Sequence, residues 1–161
     1  MLRILRALVA SSLPLAAVGT LPAAVPTVHA QEAARTEPLA IATRGGPQRF
    51  EVEVMRNDAD RARGLMFRRS MAPNHGMLFD FERVEPVAMW MKNTYLPLDM
   101  LFIRPDGTVA RVAADTEPLS TRTILSGEPV LAVLELNAGT AARLGIRAGD
   151  RVEHPLFRKA R

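Results

Sequence analysis

Residues 98–113 read LDMLFIRPDGTVARVA, two short and largely apolar runs on either side of Pro105-Asp106-Gly107. Proline presets the backbone of a turn, aspartate accepts hydrogen bonds from turn amides, and glycine adopts the positive φ that many turns require. The stretch therefore predicts an antiparallel hairpin with strands over 98–103 and 108–113.

Short apolar or alternating runs of the same kind recur along the chain, between turn-forming residues. They predict strands over 39–43, 50–54, 77–81, 87–92, 129–136 and 151–154. Two short helices are predicted, one capped by Asn57 or Asp58 and ending at Gly64, the other over 140–144 with Asn137 as its cap. Strands do not alternate with long helices, so the expected fold is mainly β: a single compact β-barrel or jelly-roll-like sandwich, over 47–158.

The first thirty residues predict a secretory signal peptide. Arg3 and Arg6 precede an apolar stretch, and Val28-His29-Ala30 offers the small residues at which signal peptidase cleaves. Three prolines interrupt the apolar stretch, so a membrane-spanning helix is not expected to remain after cleavage. We expect a periplasmic or secreted protein that begins at Gln31, with a flexible leader over 31–46.

Composition excludes several classes of function. The 161 residues contain no cysteine, which rules out disulfides, thiol catalysis and iron–sulfur clusters. Residues 1–30 hold two arginines and no acid, so removing them lowers the net charge from +4 to +2. With 5% aromatic residues and so little excess charge, nucleic acid is not an expected partner. No metal-ligand spacing or cofactor motif is present, so neither a metal nor a cofactor is expected.

Five short strings of residues between positions 64 and 139 are more distinctive than the composition and point to one protein family. They are Gly64-Leu65-Met66-Phe67-Arg68, Gly76-Met77-Leu78-Phe79, Trp90-Met91-Lys92-Asn93-Thr94, Pro97-Leu98-Asp99 and Val133-Leu134-Glu135-Leu136 followed by Gly139. Together they resemble the family known as domain of unknown function 192, small bacterial and archaeal proteins that often carry a signal peptide. The resemblance spans roughly residues 48–154. It implies a compact, mostly-β barrel of jelly-roll type, and it implies no reaction, because the family has no settled biochemical function.

Charged and polar side chains embedded in these apolar strings are the candidate site residues. They are Arg63, Arg68, Trp90, Lys92, Asn93, Asp99 and Glu135. Alternation along a strand over 87–93 would place Met89, Met91 and Asn93 on one face and Trp90 and Lys92 on the other. Both faces would then be covered, with Lys92 and Asn93 at the edge of an apolar cavity.

Two interpretations of these charges remain open. The residues form a mixed-charge pocket that binds a small polar ligand or an envelope component, or the acids form internal salt bridges with Lys92, Arg63 and Arg68 that fix the loops.

Two further functions are alternatives. One is a cell-envelope hydrolase that uses Asp99 and Glu135 as acid–base groups. The other is a copper-binding protein, because all seven methionines of the mature chain lie between Met55 and Met100. Gap-filling in the core is the ordinary role of methionine and competes with that alternative.

Overall fold

A computed structural model describes residues 35–158, so the expected signal peptide over 1–30 and residues 31–34 lie outside the described part of the chain. The elements in chain order are β1 (Thr36–Thr43), β2 (Gly46–Met55), α1 (Asp58–Arg63), β3 (His75–Met89), β4 (Leu98–Ile103), β5 (Val109–Thr116), β6 (Ile124–Asn137), α2 (Thr140–Leu144), β7 (Arg151–Glu153) and the 3₁₀ turn Pro155–Arg158. Within these residues, none of the helices has the length and apolar character needed to cross a bilayer.

The strands form one sheet of seven, in the order β5-β4-β6-β3-β2-β1-β7. Every pairing is antiparallel except that of β2 with β3. An isolated bridge joins Thr108 to Arg151, so the sheet curls until the β4–β5 hairpin meets β7. This arrangement confirms the expected mainly-β fold with two short helices, including the hairpin at Pro105-Asp106-Gly107.

The sheet begins inside the segment that we expected to be a flexible leader. The early strand expected over 39–43 is present as β1, and it starts three residues sooner, at Thr36. β1 pairs with β2 along its whole length and with β7 near its end. Leu39 and Ile41 point into the core, which explains why this stretch is ordered despite its weak periodicity.

The two strands expected over 77–81 and 87–92 are one strand, β3, of 15 residues. The residues between the two expected strands form a bulge within β3, where Glu82 has a φ of 63°. β3 then ends at Met89, so Trp90 and Lys92 lie in a loop and the expected two-faced alternation over 87–93 is wrong. Trp90 is 52% exposed rather than covered.

Apolar residues fill both faces of the sheet. On the inner face of the curl, Leu78, Leu101 and Leu134 pack with residues of β1, β2, α2 and β7. On the outer face, Met77, Phe102 and Val133 pack beneath the segments that follow α1 and β3. Two cores on opposite faces mean that neighbouring residues of β4 and β6 enter different environments.

Candidate functional site

A cavity of about 250 Å³ lies on the outer face of the sheet, beneath α1 and the loop that follows β3. Apolar and polar atoms both contribute to its walls, and Glu135, on β6, supplies the one carboxyl group among the described lining residues. The lining residues are Arg61, Ala62, Arg63, Gly64, Leu65, Met66, Phe79, Phe81, Ala88, Met89, Trp90, Thr94 and Glu135.

Glu135 is the unusual group of this cavity. Its residue is only 4% exposed, between Met77 of β3 and Met100 of β4, its partners in the register. Burial raises the pKa of its carboxyl to about 8, and no neighbouring charge or hydrogen bond acts on it. At neutral pH the side chain is therefore a neutral acid, able to donate one hydrogen bond and to accept others.

α1 forms the roof of the cavity. Asn57 caps it, as expected, by accepting a hydrogen bond from the Asp60 amide at 2.9 Å. Arg61 fastens it to β3, donating to the Asp80 carbonyl at 2.6 Å while pairing with Asp58. Gly64 ends the helix at a φ of 46°, and a Cβ there would lie 3.0 Å from the Phe79 ring. Glycine thus lets the roof close directly on the cavity wall.

The two loops that border the cavity are tied together by Asn93. Its carbonyl accepts a hydrogen bond from the Phe67 amide at 2.8 Å, and its side-chain amide reaches the Met66 sulfur at 3.8 Å. Asn93 has a φ of 57°, a conformation that asparagine tolerates better than most residues. This predicted site residue therefore acts by positioning the loops.

Cations and exposed aromatic rings surround the mouth. Lys92 Nζ lies 5.4 Å from the centre of the Trp90 ring, which itself lines the cavity. Phe67 and Tyr95 are 60% and 40% exposed, and their rings meet edge to face at 6.4 Å. Arg63 is exposed and lines the cavity, with no ion-pair partner among residues 35–158.

Arg68 does not belong to this site. Its guanidinium forms a double hydrogen bond with the carboxylate of Glu53 on β2. That pair joins the loop after α1 to the sheet, which is a structural role for a residue expected to line the pocket.

Asp99 does not belong to it either. It is fully buried on the inner face, where Oδ1 accepts from the Asp115 amide at 2.9 Å and Oδ2 from the Ala141 amide at 2.8 Å. It therefore holds the first turn of α2, whose expected cap, Asn137, instead donates to the carbonyls of Met71 and Ala72.

Two expectations are corrected by these positions. Asp99 and Glu135 lie on opposite faces of one sheet, so they cannot serve one reaction as a carboxylate pair. Neither acid forms a salt bridge with Lys92, Arg63 or Arg68 within the described chain. Backbone amides satisfy Asp99, and nothing described satisfies Glu135.

The methionines gather on the outer face, but as packing residues. Met77, Met91 and Met100 are fully buried in its core, and Met55, Met71 and Met89 pack against it. The Met91 sulfur accepts a hydrogen bond from the Thr116 hydroxyl at 3.2 Å. This burial favours the gap-filling role over a copper site.

Of the seven residues predicted for the site, the structure brings three together in the lining of this cavity: Arg63, Trp90 and Glu135. Sequence reasoning missed the walls and the aromatic mouth, in particular Phe79, Phe67 and Tyr95. Phe67 lies within one of the five strings of the sequence analysis, and Tyr95 directly follows another. Their position in or beside these strings was the sequence feature that could have identified them.

Comparisons with known proteins agree with the fold. The family model described as "Uncharacterized ACR", domain of unknown function 192, matches residues 40–154. A protein from Sinorhizobium meliloti, described as a proposed transcription regulator, has 53% identity and a TM-score of 0.72, over 73% of this chain and 92% of its own. A protein of unknown function from Novosphingobium aromaticivorans has 38% identity and a TM-score of 0.74, over 84% and 99%. No curated protein matches. This chain belongs to the domain of unknown function 192 family.

Proposed function

We propose that this chain is an exported protein that binds a small polar ligand in the Glu135 cavity. The observation that carries the proposal is the carboxyl of Glu135, a residue only 4% exposed, which lines about 250 Å³ of space and receives no hydrogen bond or ion pair from the described residues. A polar group in apolar surroundings costs free energy unless it is hydrogen-bonded, and a bound molecule would supply the missing bond.

The construction of the cavity supports the same proposal. Four separate strings of the sequence contribute to its walls: Gly64 with Leu65 and Met66, Phe79, Trp90 with Thr94, and Glu135. A mostly apolar cleft with one well-placed polar group is the usual form of a small-molecule site. Its volume approaches the lower end of such pockets, about 300 Å³, so the ligand is small.

The test is a native mass spectrum of the chain after gentle purification from a bacterial periplasm. We expect a reproducible extra mass on the wild type and its loss from Glu135→Leu, which keeps a side chain of similar size but removes the hydrogen-bonding group. Glu153→Leu is the matched control, because Glu153 is exposed on the distant strand β7. An extra mass that survives Glu135→Leu would overturn the assignment of the site, and a bare wild-type chain would overturn tight ligand binding.

Export makes a separate prediction. When the full chain is produced in a Gram-negative host, we expect a secreted or periplasmic product whose first residue is Gln31. Replacing Ala30 with a bulky residue should block cleavage and retain the precursor. Intact-mass measurement of the periplasmic and cytoplasmic fractions checks both statements. A full-length product found in the cytoplasm would contradict export.

A further inference from the structure

The charged side chains that line the cavity beside Glu135 are two arginines of α1, Arg61 and Arg63. The segment 61–71, which is the last turn of α1 and the loop after it, also contains Arg68 and Arg69, and the segment 89–97 after β3 contains Lys92; neither segment contains an acid. The acids of α1, Asp58 and Asp60, lie in its first turn and do not line the cavity.

Two of the five cations are neutralised and three are not. Arg61 pairs with Asp58 and Glu82, and Arg68 pairs with Glu53. Within the described ranges Arg63, Arg69 and Lys92 have no acid partner; Arg69 and Lys92 instead lie over the rings of Tyr95 and Trp90, at 5.2 and 5.4 Å. Among the described residues, Arg63 therefore adds an unpaired cation to the cavity wall, and Lys92 adds one beside Trp90, which lines the same cavity.

The interior of the cavity differs from its entrance in the kinds of side chain that line it. Leu65, Phe79, Phe81 and Met89 contribute apolar side chains, and within residues 35–158 the ionisable side chains that line it are those of Glu135 and of the two arginines of α1. A dry cavity of roughly 150 Å³ is large enough for benzene. The observed volume of about 250 Å³ therefore fits one substituted ring or a short branched chain.

We infer that the ligand is a small anionic acid with an apolar body and a hydrogen-bond acceptor at its far end. Its anionic group lies at the mouth with Arg63 and Lys92, its body fills the cavity, and its acceptor receives the Glu135 hydroxyl. This inference rests on the proposed function, because it names the class of ligand for the same cavity.

Three probes of one shape isolate the charge: 4-acetylbenzoate, 4-acetylbenzamide and 4-acetylbenzylamine, each with the same ring and ketone. By titration calorimetry on the mature chain, we expect the anion to bind about tenfold tighter than the amide and the cation to bind weakest. Arg63→Ala and Lys92→Ala should each weaken the anion severalfold and leave the amide unchanged. Both residues are exposed, so these variants are expected to fold.

Arg143→Ala is the matched control, since it removes an equally exposed cation from α2, on the other side of the sheet. It should change the affinity for none of the probes. Equal losses in Arg143→Ala would mean that net charge, rather than the mouth, attracts the anion, and this would overturn the inference.

A pH series tests the inner end of the site. The charged groups that line the same cavity as Glu135 are Arg61 and Arg63 from α1, and Lys92, on the loop after β3, lies 5.4 Å from the ring of the lining residue Trp90. Burial raises the pKa of Glu135 to about 8, so at higher pH its charge repels an anion. Binding of 4-acetylbenzoate should weaken about tenfold from pH 7 to 9 in the wild type and stay nearly constant in Glu135→Gln.

The outcomes separate the inference from the proposed function. If 4-acetylbenzylamine binds most tightly, or if the molecule detected by native mass spectrometry is a cation, the inferred anionic ligand is wrong. The cavity then remains a binding site. Capture of the chain by anionic lipid vesicles, lost on Trp90→Ala but not on Glu135→Gln, would show that the mouth binds a membrane surface and overturns the inference as well. A bare native mass together with no binding of any probe overturns both.

Discussion

Glu135→Gln is expected to become more stable relative to the wild type as the pH rises. Folded Glu135 has a pKa raised to about 8 by burial, whereas its ordinary value is 4.5. Between these values the folded chain holds one proton more than the unfolded chain, so increasing pH favours unfolding of the wild type. Glutamine does not titrate, and the variant lacks this loss. From pH 5 to 8 the difference in free energy of unfolding should grow by about 4 kcal/mol.

Urea denaturation of both chains at four pH values between 5 and 8 measures that difference. His154 also titrates here, with the opposite sign: burial lowers its pKa below 6.5, so acid favours the unfolded chain. It is present in both chains and cancels in the comparison. A difference that stays flat would show that Glu135 of the folded chain is already ionised at pH 5, and would contradict the raised pKa.

The sequence predicted those parts of the fold that depend on a few neighbouring residues. Pro105-Asp106-Gly107 carries its own turn chemistry, and Asn57 and Gly64 carry the cap and the end of α1. The continuity of β3 was not predictable in this way. Residues 82–86 separate two apolar runs in the sequence, and only pairing with β6 on both sides of the bulge makes the two runs one strand.

The residues of the candidate site also could not be predicted from the local sequence alone. Asp99 and Glu135 have one sequence signature, a single acid inside an apolar strand, and the sequence assigned both to the pocket. The β4–β6 register places Asp99 opposite Leu136 and Glu135 opposite Met100, so the two side chains leave the sheet on different faces. α2 then supplies an amide to one acid, and the cavity leaves the other without a partner. That distinction depends on tertiary structure alone.

Asp99→Ala is expected to destabilise the chain strongly while leaving the Glu135 cavity intact. The change removes both acceptors of the Asp115 and Ala141 amides, and Ala141 is itself buried. Hydrogen bonds to a charged acceptor contribute about 1.5–3 kcal/mol each, so the combined loss should be about 3–5 kcal/mol. The melting temperature should then fall by about 10 °C. Asp99→Asn keeps one acceptor oxygen, so its melting temperature should lie between those of the wild type and Asp99→Ala.

Thermal unfolding followed by circular dichroism measures the loss, and hydrogen exchange at the Ala141 amide locates it at α2. Calorimetry with 4-acetylbenzoate on Asp99→Asn, below its unfolding transition, provides the second measurement. Because Asp99 faces the inner core, the affinity should equal that of the wild type. A variant that kept its stability but no longer bound the ligand would contradict the structural role of Asp99. It would mean instead that Asp99 takes part in ligand binding, although the sheet places it on the opposite face from Glu135.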